Sequence, residues 1–143
     1  MFDISEKDYL NTIISFDYGD SRIGVAIKPA NQASADPLIT IENNDSLYQQ
    51  IGELVNLHSP GLIIVGWPRS LEGEKTAQTD KAERFASELV QRYNIKVELQ
   101  DEALSTQRAE AEIPRKFRGD RSSVIDQYAA CVILEDYLQE KSR

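Results

Sequence analysis

The run Gly61 to Gly66, GLIIVG, constrains this chain more than any other stretch. Leu62 to Val65 offer no polar face, the pattern of a central parallel strand covered on both sides. Such a strand needs helices above and below its sheet, which points to an α/β fold. Periodicity supplies the covers. Leu47, Ile51, Leu54 and Val55 recur at helical spacing behind a cap at Asn44 or Asp45, in a helix that should end before Pro60. Ala82, Phe85, Ala86, Leu89, Val90 and Tyr93 form a second stripe, and Ile125, Ala129, Val132, Ile133 and Tyr137 a third, capped by Asp120 or Ser122. Ser105-Thr106 can cap a shorter helix that stops at Pro114.

Period-two runs supply the other strands. Thr12 to Tyr18 and Arg22 to Lys28 flank the turn signal Gly19-Asp20, and Pro37 to Glu42 completes an antiparallel meander. Within the second run, Gly24 marks a close backbone approach or a bulge. Ile95 to Gln100 alternates as a fifth strand and runs into Asp101-Glu102. The predicted order is βββαβαβαα, with residues 12–143 as one domain and residues 1–11 as a frayed or loosely docked extension. A chain of 143 residues is long enough for one core and too short for two ordinary domains.

Composition narrows the function classes. No apolar run reaches the roughly 18 residues of a membrane span, and the acidic N-terminal segment lacks the basic start of a secretory signal. A cytoplasmic protein without membrane partners is expected. Cys131 lies in an apolar helical pattern and reads as a buried, inert thiol; His58 has no partner at zinc-like spacing. The net charge of −8 argues against nonspecific nucleic-acid binding over most of the surface. The exception is Ile113 to Arg121, IPRKFRGDR, which sets four basic residues against one Asp. It reads either as a solvated connector or as a nucleic-acid contact, with Phe117 stacking among Arg115, Lys116, Arg118 and Arg121.

Three acids stand where a core would not place them on its own. Asp17 closes the first strand on the side of Ile13 and Ser15, the pair Asp101-Glu102 closes the fifth, and Asp126 opens the last helix. Each has an ordinary reading, as a turn cap, a solvated strand end and a helix N-terminal acid respectively. Alternation aligns Asp101 with Val97 and Leu99, and Glu102 with Glu98 and Gln100; composition does not choose between the two. Carboxylates meeting at one sheet edge repel unless a hard cation lies between them, and oxygen-only ligands suit Mg²⁺ or Mn²⁺. Phosphodiester cleavage is the chemistry such an ion supports.

Four segments in order, FDYGDSRIGVAI, VGWPRSLEG, DEALST and VIDQYAACVIL, resemble the YqgF family, described as Holliday-junction resolvases and as nucleases that mature the 5′ end of pre-16S rRNA. The resemblance runs from about Ile14 to Leu138. It implies an RNase H-like fold, a mixed five-stranded sheet in order 3-2-1-4-5 flanked by helices. It also implies metal-dependent cleavage by Asp17, Glu102 and Asp126, favouring Glu102 over Asp101, with Arg22 and Thr106 beside the substrate. The chain departs from the family pattern at Asp20, Ala103 and Trp67. The implied activity is an endonuclease acting on structured nucleic acid, with pre-16S rRNA ahead of a four-way junction. A dimer would suit paired cuts in a junction, a monomer single cuts in RNA. Two other readings are a non-catalytic nucleic-acid-binding module and a nucleotide phosphate binder of the actin and sugar-kinase kind, whose site lies between two domains.

Overall fold

The computed structural model describes residues 4–70, 72–102 and 105–141, without the side chains of 105 and 106. The elements are α1 (Glu6–Leu10), β1 (Ile13–Tyr18), β2 (Arg22–Lys28), β3 (Asp36–Glu42), α2 (Leu47–His58), β4 (Leu62–Pro68), α3 (Ala77–Tyr93), β5 (Val97–Glu102), α4 (Ser105–Glu112) and α5 (Arg121–Lys141). The sheet runs β3-β2-β1-β4-β5, the order the resemblance implied. Its β1–β2 and β2–β3 pairs are antiparallel, and β1–β4 and β4–β5 are parallel.

Alternation divides the core in two. Ile14, Phe16, Ile23, Val25, Ile63 and Val65 face one way and pack with Ile51 of α2 and Phe85 and Leu89 of α3. Ile13, Leu62 and Ile64 face the other way, onto Ile133, Leu134 and Tyr137 of α5. Helix α5 also packs against α4, so Ala129 to Leu134 are buried without interruption. Its predicted stripe is therefore part of a wider apolar surface, as expected for a helix enclosed between layers. Among the described residues, no helix is long and apolar enough to cross a membrane.

The N-terminal segment differs from the expected frayed extension. Ser5 Oγ accepts a hydrogen bond from the Asp8 amide at 3.1 Å, capping α1. The segment is then fastened by Lys28, which is fully buried at the end of β2. Its ammonium donates to the carbonyls of Tyr9, Pro29 and Gln32 at 3.1, 2.7 and 2.9 Å, satisfying all three donors. Burial lowers the Lys28 pKa, while Asp8 acts in the opposite direction.

Cys131 is buried where α5 meets Ala26. Burial, with smaller contributions from Glu135, Glu112 and Asp36, pushes its thiol up to about 12. A thiol-specific reagent at neutral pH should leave the native chain unmodified and label it fully in denaturant. Because the folded thiol binds its proton more tightly than the unfolded one, its contribution to stability is complete below pH about 9 and is lost as pH rises toward 12. Denaturant titrations of wild type and Cys131→Ala across that window should converge as the pH increases.

Candidate active site

The α5 face of the sheet bears a carboxyl group at the end of β1 with glycine on either side. Asp17 pairs directly with Gly24 of β2; Phe16 pairs with Val65 of β4, which brings Gly66 next to Asp17. Other acids fill the space these glycines leave. A Cβ added to Gly24 would collide with the Asp126 carbonyl and lie 2.9 Å from the Asp126 Cβ. A Cβ on Gly66 would meet Ile133 Cδ1 at 2.7 Å and Glu102 Cδ at 3.4 Å. Gly24 thus marks a close approach, as its place in the sequence predicted; the sheet's irregularity lies one step on, between Val25 and Ala26.

Two hydroxyls fix α5 over this edge. Ser15 Oγ donates to the Ala130 carbonyl at 2.7 Å, and Thr40 Oγ1 to the Ser123 carbonyl at 2.6 Å. They bracket Asp126 in the sequence. Its carboxylate accepts from Arg22 Nε at 2.8 Å, so the structure unites two residues that the sequence placed at the site separately.

Asp17 and Glu102 interact directly. Burial, followed by the charge and hydrogen bond of Glu102 and then the charge of Asp126, holds the Asp17 carboxyl well above its ordinary range. Asp101 faces the opposite side, where Arg69 grips it through Nε at 3.1 Å and Nη2 at 2.7 Å. Of the DE pair, Glu102 therefore meets Asp17, whereas Asp101 belongs to an ion pair on the α3 face. Among the described residues no group of three acids, histidines or cysteines forms a ready metal cluster.

The basic segment leads from α4 into α5. Arg115, Lys116, Arg118 and Arg121 are exposed, while Phe117 is half-buried with its ring over Gly119. Asp120 caps α5, accepting from the Ser122 amide at 3.0 Å and the Ser122 hydroxyl at 2.7 Å. These bonds, with a smaller contribution from Arg22, lower its pKa. The cations therefore enter the helix that carries Asp126, on the side of Arg22. The side chain of Thr106, and Ala103 altogether, lie outside the described residues.

A family model described as "RuvX: Holliday junction resolvase" matches residues 11–140. The chain belongs to the RuvX family. This is the family, also called YqgF, whose motifs it resembles. Among curated relatives of this RuvX chain, one from Glaesserella parasuis is 33% identical over 92% of the chain and 98% of its own length. Another, from Paraburkholderia phymatum, is 36% identical over 89% and 84% respectively. Both bear the name "Putative pre-16S rRNA nuclease". Among solved structures, Thermus thermophilus RuvC superposes with a TM-score of 0.56 at 11% identity, covering 92% of this chain and 97% of that one. The fold is RNase H-like, and the RuvX protein is a nuclease, a hydrolase acting on nucleic acid.

Two of its departures from the family pattern have partners on α3. Asp20 accepts from Lys81 at 2.9 Å and Gln78 at 3.1 Å, which lower its pKa and tie the β1–β2 turn to that helix. Trp67 donates to Glu83 at 3.1 Å and lies under the Arg69 guanidinium, 4.7 Å from the ring centroid. Arg69 itself escaped the sequence reading. Its signal was a lone cation in the loop after β4, which is informative only once β4 and β5 are known to be neighbours.

Proposed function

We propose that this protein is a Mg²⁺- or Mn²⁺-dependent endonuclease that cuts structured RNA, with the 5′ region of pre-16S rRNA as its substrate. The observation that carries the reading is the contact between Asp17 and Glu102, with the raised proton affinity of Asp17. Crowded carboxyls at the end of buried strands share a proton at the position where a cation would relieve their repulsion. The donors are all oxygen, so they fit a hard divalent ion. Asp17 and Glu102 would hold it, with Asp126 as the third ligand. When bound, such an ion supplies an activated water and stabilises the leaving oxygen.

The remaining groups bind and orient. Arg22 fixes the Asp126 carboxylate and presents a positive charge where the scissile phosphate would arrive. Arg115, Lys116, Arg118 and Arg121 hold the backbone that leads there, Phe117 offers a ring to an unpaired base, and Thr106 offers a hydroxyl. On a chain of net charge −8, this basic segment sets the direction from which a polyanion approaches. The relatives' name favours RNA, and a single cut in RNA, made in the cytoplasm, would need the site of one protomer only. The test incubates end-labelled pre-16S rRNA fragments and a synthetic four-way junction with the protein, with and without Mn²⁺. Mn²⁺-dependent cleavage of the RNA is expected. Cleavage of the junction alone would move the substrate to branched DNA, and binding without cleavage of either would make the chain a non-catalytic module.

A further inference from the structure

The mechanism above uses the α5 face of the sheet edge and leaves the α3 face unassigned. There, one residue beyond Asp17, Tyr18 opens a cavity of about 440 Å³ between the β1–β2 turn, α2 and α3. Its volume falls in the range of small-ligand sites. Tyr18 and Phe85 form one wall, their centroids 4.8 Å apart, and Tyr48 another. Asn43 Nδ2 donates to the Tyr18 hydroxyl at 3.1 Å, and the Arg92 guanidinium lies 4.1 Å from the centroid of the Tyr48 ring. The aromatic walls are thus held in place before anything binds.

The charges at the mouth are unequally matched. Asp20 is paired with Lys81, and Glu88 with Arg92 at 2.7 Å. Arg22, Arg69 and Arg108 also have carboxylate partners. Arg84 also lines the cavity, is exposed, and has no hydrogen-bond or ion-pair partner among the described residues. An aromatic cavity with one uncompensated guanidinium at its rim matches an unpaired nucleotide, with the base against the rings and the phosphate on Arg84. The Asp20 and Glu88 carboxylates add acceptors for an exocyclic amino group.

We infer that this cavity captures an unpaired nucleotide of the substrate strand, bound on the α3 face while the neighbouring phosphodiester lies over Asp17 on the α5 face. The inference rests on the nuclease reading, because Tyr18 and Asp17 are consecutive residues on opposite faces of one strand. The experiment uses the full chain in excess EDTA, which separates binding from cutting, and short single-stranded RNAs bearing 2-aminopurine at successive positions.

One position should show quenched emission, and an abasic nucleotide there should weaken binding about tenfold. Arg84→Glu should weaken binding to a similar degree, and Tyr48→Ala should remove the quenching. Lys7→Glu, an equal charge change at the far end of β1, should alter affinity less than twofold and so controls for bulk electrostatics. Thermal melts confirm that each variant is folded. Equal affinity for abasic and intact RNA, or equal losses in Arg84→Glu and Lys7→Glu, would overturn the inference. If the quenching is present but Mn²⁺ yields no cleavage, the cavity stands and the nuclease mechanism fails; cleavage without quenching is the reverse.

Discussion

Asp17→Asn is expected to reduce Mn²⁺-dependent cleavage by about a thousandfold or more while leaving the fold intact. The amide keeps nearly the same volume beside Gly24 and Gly66, so packing should hold. It lacks the charge that a divalent ion needs, and its contact with Glu102 becomes a hydrogen bond from the amide to the carboxylate. Because burial and two neighbouring acids already hold the Asp17 carboxyl above its ordinary range, replacing it relieves a cost. The variant without metal should melt at the same temperature as wild type or higher. Mn²⁺ should raise the melting temperature of wild type only, by the linkage of binding to stability. Undiminished cleavage by Asp17→Asn would sink the assignment, whatever the melts show.

Gly24→Ala is expected to be the most damaging single methyl group that can be added to the sheet. Its Cβ would occupy the space of the Asp126 carbonyl, a backbone group in a helix held on both sides of that point. Helix α5 must lift, tilt or unwind locally, and overpacking of this kind costs about 3 kcal/mol. In a domain of this size that lowers the melting temperature by about 10 °C. The loss of cleavage should exceed what stability explains, since the displaced segment carries Asp126. Gly52→Ala is the informative control, because an added Cβ there meets only the Tyr93 ring at 3.6 Å and a helix interior favours alanine. Calorimetry and cleavage assays on the two variants should give opposite signs for stability.

Periodicity, the unbroken apolar run of β4, and the cap and proline that bound α4 together identified every strand and the four helices that follow the meander. Sheet order was different. It came from motif resemblance, since nothing in the spacing of Ile95 to Gln100 says that it lies beside β4. The DE pair shows why local patterns stop short at a site. Alternation correctly grouped Asp101 with Val97 and Leu99, but that face of β5 is the one where Leu99 remains 41% exposed. The polar face, Glu98, Gln100 and Glu102, lies on the α5 side, where Tyr137 donates to Glu98 and Gln100 to Glu140. Residues that read as solvated were partnered by a helix some forty positions away. The N-terminal helix was missed for a related reason: its fastening comes from Lys28, a strand residue that lies 19 positions from the carbonyl of Tyr9 it reaches.

The buried stretch Ala129 to Leu134 gives α5 strong adhesion but little registration, since apolar contacts alone would lose little if the helix slid along its axis. The hydroxyls of Ser15 and Thr40 act on this freedom like two detents on a rail. Each must find one particular carbonyl, and a shift by a single residue would break both bonds at once and leave the buried Ser15 hydroxyl unsatisfied. The position of Asp126 relative to Asp17 is therefore set by polar contacts at neighbouring points of the helix, whereas the grip that keeps the helix on the sheet comes from hydrophobic contacts further along. Adhesion and alignment can then change separately, which lets the core of this nuclease drift in sequence without moving Asp126.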